Sequence, residues 1–545
     1  MYKKLLPVLA ILSQLTAAHA GVTGDILALN HAFRQNDDVS VDRYLGKALK
    51  QLPDNPSLIN QAIMSAVFEQ DLDKAAGFVE ELDKLSPDSQ TSYLVKLAVA
   101  LNENNLDGVY TEVKGIPYLD DELVRAWQVA AKAGKAVDAF AILEDASKAQ
   151  PALKPIYDYE KALMLAAIDK DYNGAAKIIS GEDNPLYLND ASFFGHVAMK
   201  ILGGDDSYLA QIEKQFGGQE AWPFALRQIV DDAENGKIND NVNFKNPQNA
   251  LVEYIAFVLN QSREAGLPRD TERFFATLLP TMVPENDLYR LDLLSYLYGE
   301  EEYDDVLKFA DQFQKNSAYA LDQNIFKFAS LMQSGKTAQA RSLLEKSKGD
   351  ALDELQFQAE SYRQLEQYDD AFAIFQKILA NKSLSDSRRA QMSFYAAICA
   401  EQSDKWPQAE AYFRVAIGLE PDDAQVLNYL GYSLVDRGIN IEEGLELVER
   451  AVKLDPSQAY IQDSLGWAYF KVGDFQKALG PLELASSSMA ADPVVNAHLG
   501  DVYWKLGRER EAMYQWERAH KFLSEDKPDL KISELEDRLA NGLPD

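Results

Sequence analysis

The side chains that could do chemistry are few, and their spacing does not gather them. Beyond the first twenty residues the histidines are His31, His196, His498 and His520, widely separated, with no H-E-x-x-H pair to present two imidazoles to zinc on one helix face. No G-x-S-x-G turn is present to raise a serine nucleophile. Gly335-Lys336-Thr337 resembles the end of a phosphate loop, but the glycine needed five residues earlier is Ser330. The tripeptide also falls between two helical stretches rather than after a strand. Cys399, beside Ala396 and Ala400 on an apolar helical face, is expected to be a buried, inert thiol; alone it forms neither an internal disulfide nor a cysteine zinc site. Carboxylates are abundant, as in Glu300-Glu301-Glu302, Asp369-Asp370 and Glu442-Glu443, but these stand at turns and helix starts, where negative charge suits the helix dipole. No catalytic, cofactor-binding or metal-ligating residue is read from the chain, and no enzyme activity is expected.

The elements that carry these residues are bounded by composition. The 545 residues include 86 acidic against 54 basic side chains, a net charge of −32. That balance, without a basic block, excludes nucleic acid as a partner, since phosphate neutralisation needs clustered Lys and Arg, and it disfavours an anionic membrane surface. Hydrophobic residues at 47% and aromatics at 10% supply a core and exclude wholesale disorder. A chain of this length is either several domains or one elongated repeat array.

The first twenty residues read as an address. Lys3-Lys4, an apolar stretch from Leu5 to Leu15 and the ending Ala18-His19-Ala20 describe a secretory signal peptide, 1–20, cleaved after Ala20. No cysteine follows that site, so a lipoprotein is excluded, and no later run reaches the roughly 18 apolar residues of a membrane span. A cysteine-poor, exported protein in an oxidising periplasm is the expectation.

Self-similarity is the strongest signal. Leu430-Gly431-Tyr432, Leu465-Gly466-Trp467 and Leu499-Gly500-Asp501 recur at steps of 35 and 34 residues. Ala478 and Ala512 follow the second and third glycines by twelve, then Leu482 and Trp516, then Ala485 and Ala519. The preceding unit matches in Ala409, Phe413, Ala416 and Pro421. Each unit reads as two helices separated by a turn glycine (Gly438, Gly473, Gly507), with small residues letting the helices approach and proline ending the second. Weaker units are traced through Pro53, Pro87, Pro117 and Pro151, and around Ala175, Val306, Ala340 and Ala371. Between 186 and 245 the pattern lapses, with Gly203-Gly204, Gly217-Gly218 and the polar run from Asn235 to Asn241. The organisation read is a degenerate array over 21–185, a break or hinge over 186–245, a second degenerate array over 246–390, well-formed repeats over 391–520 and a capping helix within 521–545.

Leu-Gly-x-x-Tyr…Gly…Ala-x-x-x-Phe/Leu-x-x-Ala…Pro at this period resembles the tetratricopeptide repeat (TPR). The resemblance implies an all-α superhelical solenoid of TPR helix hairpins that binds proteins or peptides. In the register set by the three glycines, the first helices would line a groove with Asn428, Tyr432 and Val435, then Asp463, Trp467 and Phe470, then Ala497, Asp501 and Trp504, each trio spaced i, i+4, i+7. Asn428, Tyr432, Asp463, Trp467, Phe470, Asp501 and Trp504 are the candidate binding residues, with Lys471 and Lys505 one step round to meet a ligand carboxylate. Packing between neighbouring first helices is the alternative role for the aromatics; His498 and Trp516 fall at core or near-core positions. The segments around Leu430-Gly431, Leu465-Gly466 and Leu499-Gly500 are further similar to proteobacterial envelope TPR proteins related to the lipoprotein adaptor of a periplasmic carboxyl-terminal processing protease. That similarity implies a scaffold or adaptor in envelope proteolysis or cell-wall maintenance. A holdase chaperone is the alternative, and homo-oligomers are open to such arrays.

Overall fold

The computed structural model describes residues 27–29, 31–32, 38–116, 119–180, 190–205, 207–216, 222–264, 269–347, 349–523 and 530–543. The expected signal peptide, Pro117, Gly217-Gly218 and Pro528 lie outside them. Among the described residues all regular structure is helical, and the chain divides into two compact units, Met1–Lys348 and Gly349–Asp545.

In the first unit, α1 (Asp38–Gln51) precedes five hairpins: α2 (Pro56–Phe68) with α3 (Leu72–Leu85), α4 (Gln90–Asn102) with α5 (Leu106–Val113), α6 (Asp121–Ala133) with α7 (Phe140–Ala149), α8 (Lys154–Met164) with α9 (Tyr172–Ser180), and α10 (Asp190–Leu202) with α11 (Ser207–Phe216). Three helices interrupt the alternation: α12 (Phe224–Glu234), α13 (Pro247–Glu264) and α14 (Arg269–Met282). It then resumes with α15 (Leu288–Gly299) and α16 (Tyr303–Ala310), and α17 (Ala320–Gln333) and α18 (Thr337–Lys346).

The second unit is an uninterrupted stack, the all-α solenoid the sequence implies. Its hairpins are α19 (Leu352–Gln364) with α20 (Tyr368–Leu379), α21 (Asp386–Gln402) with α22 (Trp406–Leu419), α23 (Ala424–Asp436) with α24 (Ile441–Leu454), α25 (Ala459–Lys471) with α26 (Phe475–Ser488), and α27 (Pro493–Lys505) with α28 (Glu509–Phe522). The last helix, α29 (Ile532–Asn541), buries Leu535 against the core around Trp516 and so covers the apolar face that the final hairpin would leave open.

One backbone device closes every hairpin. A residue in the turn takes the left-handed conformation: Gln70, Asn104, Gly134, Lys170, Gly204, Glu301, Gly335, Glu366, Asp404, Gly438, Gly473 and Gly507. The following N–H then reaches back to a carbonyl of the first helix, as from Lys405 to Ala400 (2.8 Å) and from Asp474 to Tyr469 (2.9 Å), satisfying the helix end. Small residues set the helix approach. A Cβ on Gly466 would lie 2.3 Å from Cγ of Leu482, and one on Gly500 2.5 Å from the Trp516 ring. Tyr469 donates to Glu449 and Tyr503 to Glu483, each at 2.8 Å, so the same bond between a first helix and the second helix before it recurs one repeat later.

The stretch 186–245, expected as a break or hinge, does not fall at the boundary between the two compact units. Its described part lies within the first unit, where α10 and α11 form another hairpin turned at Gly204, and Trp222, Val242 and Phe244 are buried. The polar run is bonded in place: Asn239 donates to Asp232 at 2.6 Å, and Asn241 accepts from the Asp287 N–H at 2.8 Å. The division falls at Lys348–Gly349, inside the stretch 246–390 that the sequence reads as one array. What departs from the repeat is α12 together with the pair α13–α14. Helix α13 packs on α6 and α8, and α14 on α2 and α4, so the pair covers first helices of four consecutive hairpins. Asn102 donates to the Thr281 carbonyl (2.8 Å), Tyr254 accepts from the Asp120 N–H (2.9 Å), and the Arg273 guanidinium lies 4.6 Å from the centre of the Phe68 ring.

Candidate binding face of the second unit

The candidate residues stand on α23, α25 and α27; α23 and α27 are started by Asp423 and Asp492, whose side chains each accept two backbone N–H groups, while α25 starts after Gln458 with no side-chain cap. On α25, Asp463 meets His498 of α27, with Nδ1 3.1 Å from the carboxylate. The Trp467 ring stacks on that imidazole with centroids 4.0 Å apart and on Phe470 at 4.9 Å, and its indole N–H donates to Asp436 (3.2 Å). Lys471 lies over the same indole, 5.0 Å from its centre, and donates to the Asp436 carbonyl at 3.3 Å. Tyr432 packs into the small cluster of Val435, Trp467 and Phe470. One helix further, Asp501 accepts from Trp516 (2.9 Å) and from Arg538 of α29 (3.0 and 3.2 Å). The Trp504 indole N–H donates to the Leu543 carbonyl at 3.2 Å.

Trp467 and Phe470 of the predicted row touch each other, and most other contacts of the row are to Asp436, His498, Trp516, Arg538 and Leu543. Asn428, Asp463 and Trp467 are buried, and Asp501, at 1% exposure, is closed off by Arg538. Tyr432, Phe470 and Trp504 are half-buried, with Lys471 exposed and Lys505 half-buried alongside. The Asn428 Oδ1 has no hydrogen-bond partner within the protein. Burial alone would depress the His498 imidazole, but the adjoining Asp463 outweighs it, with Asp501 and Asp436 adding, and the net shift is upward. Burial raises Asp501, opposed by Arg538, Trp516 and His498. Sequence reasoning missed Asp436, His498 and Arg538 as partners of the row. His498 stands 35 residues, about one repeat, after Asp463, which is the signal that could have paired them.

A polar cleft of about 220 Å³ lies between α21, the end of α22 and the start of α23, lined by Gln391, Phe394, Tyr395, Glu420, Asp423 and Gln425 and by none of the candidate residues. Cys399 is fully buried and its thiol is pushed up to about 12 by burial, so it carries no nucleophile at neutral pH. Among the described residues no group of three or more His, Cys, Asp or Glu is placed to hold a metal, and no helix is long and apolar enough to cross a membrane.

A tetratricopeptide-repeat family model matches residues 358–424 and, overlapping, 403–459. A TPR repeat-containing protein of Pseudomonas aeruginosa is 31% identical over 205 residues, a match covering 34% of this chain and 34% of that relative, so the chain spans about a third of the relative's length. Among solved structures, a thermophilic TPR protein of Thermus thermophilus is 19% identical with a TM-score of 0.29, covering 35% of this chain and 98% of that one. MamA (AMB-1) is 15% identical with a TM-score of 0.27, covering 31% and 96% respectively.

Proposed function

We propose that this chain, which carries tetratricopeptide repeats in its second unit, is a non-catalytic periplasmic scaffold that binds proteins or peptides along the inner face of that unit. One observation supports this reading above others. In the first unit, α13 and α14 cover the first helices of four hairpins, whereas in the second unit Tyr432, Phe470 and Trp504 stay half-buried beside Lys471 and Lys505. Aromatic edges supply most of the contact energy of such surfaces, and flanking cations suit a partner segment that brings carboxylates. Adaptor work in envelope proteolysis or cell-wall maintenance is the specific role proposed. The test is crosslinking of the tagged protein in cells, with mass spectrometry of what it carries, for the natural chain and for a Tyr432→Ala, Lys471→Glu variant. A dominant stoichiometric partner lost at least tenfold in the variant is expected. Retention of that partner moves the site elsewhere, and a broad spread of unfolded clients replaces the adaptor with a holdase, whose strong negative charge would keep clients soluble.

A further inference from the structure

The first unit buries two carboxyl groups that the binding face does not use. Glu160 of α8 and Glu253 of α13 are both 0% exposed, and they lie where α13 seats on α6 and α8. Trp127 of α6 donates to Glu160 at 2.8 Å, and the other oxygen of Glu160 has no hydrogen-bond partner in the protein. Tyr159 of α8 donates to Glu253 (3.2 and 3.3 Å), and Asn243 donates to Glu253 (2.5 Å) and to Tyr159. The groups acting on Glu160 are Trp127 and Glu253, and those on Glu253 are Asn243, Tyr159 and Ser192 of α10; no cation is among them. Tyr254 of α13, Tyr289 of α15, and Tyr157 of α8 with Asp120 complete the titratable surroundings, all neutral or acidic. Of the nearby basic groups, Lys200 acts on His196 of α10. A carboxylate buried without a cation is costly, so this cluster favours protonated acids.

We propose that Glu253 and Glu160 form a proton-dependent latch: protonated, they hold α13 on α6 and α8, and on losing their protons they loosen α13 and uncover the inner face of those hairpins. Burial pushes both acids up, Glu160 to about 8 and Glu253 to about 7, from ordinary values near 4.5. A group raised on folding stabilises the seated state fully below its ordinary value, and that contribution is lost as pH rises through the folded one. Seating is therefore firmest near pH 4.5 and weakens progressively as pH rises from there to about 8. The latch is independent of what the second unit binds.

Hydrogen exchange of the full chain at pH 5, 6.5 and 8.5, corrected for intrinsic rates, reads it directly. Protection of Asp121–Ala133, Lys154–Met164 and Pro247–Glu264 is expected to fall at least tenfold across this range, while that of Leu352–Gln364 in the second unit changes less than threefold. Glu253→Gln, which stays neutral and keeps the hydrogen-bonding shape, is expected to reduce the fall to threefold or less. Protection that is flat in the natural chain overturns the latch, as does a fall shared equally by Leu352–Gln364, or a Glu253→Gln variant that falls as the natural chain does. Should Glu253→Gln not fold, Glu160→Gln serves in the same comparison, and the natural chain's series decides on its own.

Discussion

At the scale of single residues, Asp463, His498 and Trp467 carry the sharpest prediction. A buried imidazole stacked on an indole and facing a carboxylate gains stability when it is charged. His498 is held above its ordinary 6.5, so its contribution is complete below about pH 6.5 and disappears as pH rises through the folded value. Hydrogen exchange of Ala459–Lys471 and Pro493–Lys505, corrected for intrinsic rates, should show protection that falls from pH 6 to 8.5, and His498→Asn should flatten that slope. The row of candidate residues was legible in the sequence because i, i+4, i+7 spacing and a repeat near 34 fix which side chains share a face. Their burial was not, because it depends on how closely α23, α25 and α27 approach and on Arg538 folding back over Asp501. Trp467, stacked between Phe470 and His498, is consequently a poor site for testing binding, since its loss would report on stability first.

At the scale of elements, the left-handed turn explains both what the sequence revealed and what it hid. Where the turn residue is Gly438, Gly473 or Gly507, the repeat stands out. Where Gln70, Asn104, Lys170, Glu301, Glu366 or Asp404 takes the same conformation, the chain gives no glycine to count from, and the repeat fades. A side chain there costs roughly 1–2 kcal/mol of local strain, partly offset by the freedom glycine loses on folding. Glu366→Gly and Asp404→Gly should each stabilise the second unit by about 0.5–1 kcal/mol in urea titrations. Gly500→Ala should cost about 1–3 kcal/mol, because its Cβ would enter the Trp516 ring. Helix α14 misleads in another way. Thr271, Arg273, Thr277 and Thr281 give it the look of a surface helix, yet all four are buried. Arg273 is answered by Phe68, Asp305 and Glu302, and the hydroxyls of Thr277 and Thr281 bond their own helix's carbonyls. Nothing in its pattern announces that the polar side faces protein.

At the scale of the whole molecule, the two units have separate cores: a large one spanning the first from Ile59 to Tyr319, and others in the second that close without residues before Leu352. Gly349–Asp545 made alone should therefore fold, giving a helical circular dichroism spectrum and a cooperative urea transition; a non-cooperative, sloping melt would mean that it needs the rest of the chain. The units also differ in when they can be finished. Each hairpin of the second unit finds its partner in the next one made, but Asn102 has to meet Thr281, 179 residues further on. At about 5–20 residues per second, a ribosome needs roughly 10–40 s to supply that partner. For that interval the earliest hairpins expose the side that α13 and α14 will cover, and a chaperone that prefers unfolded clients has its opportunity there.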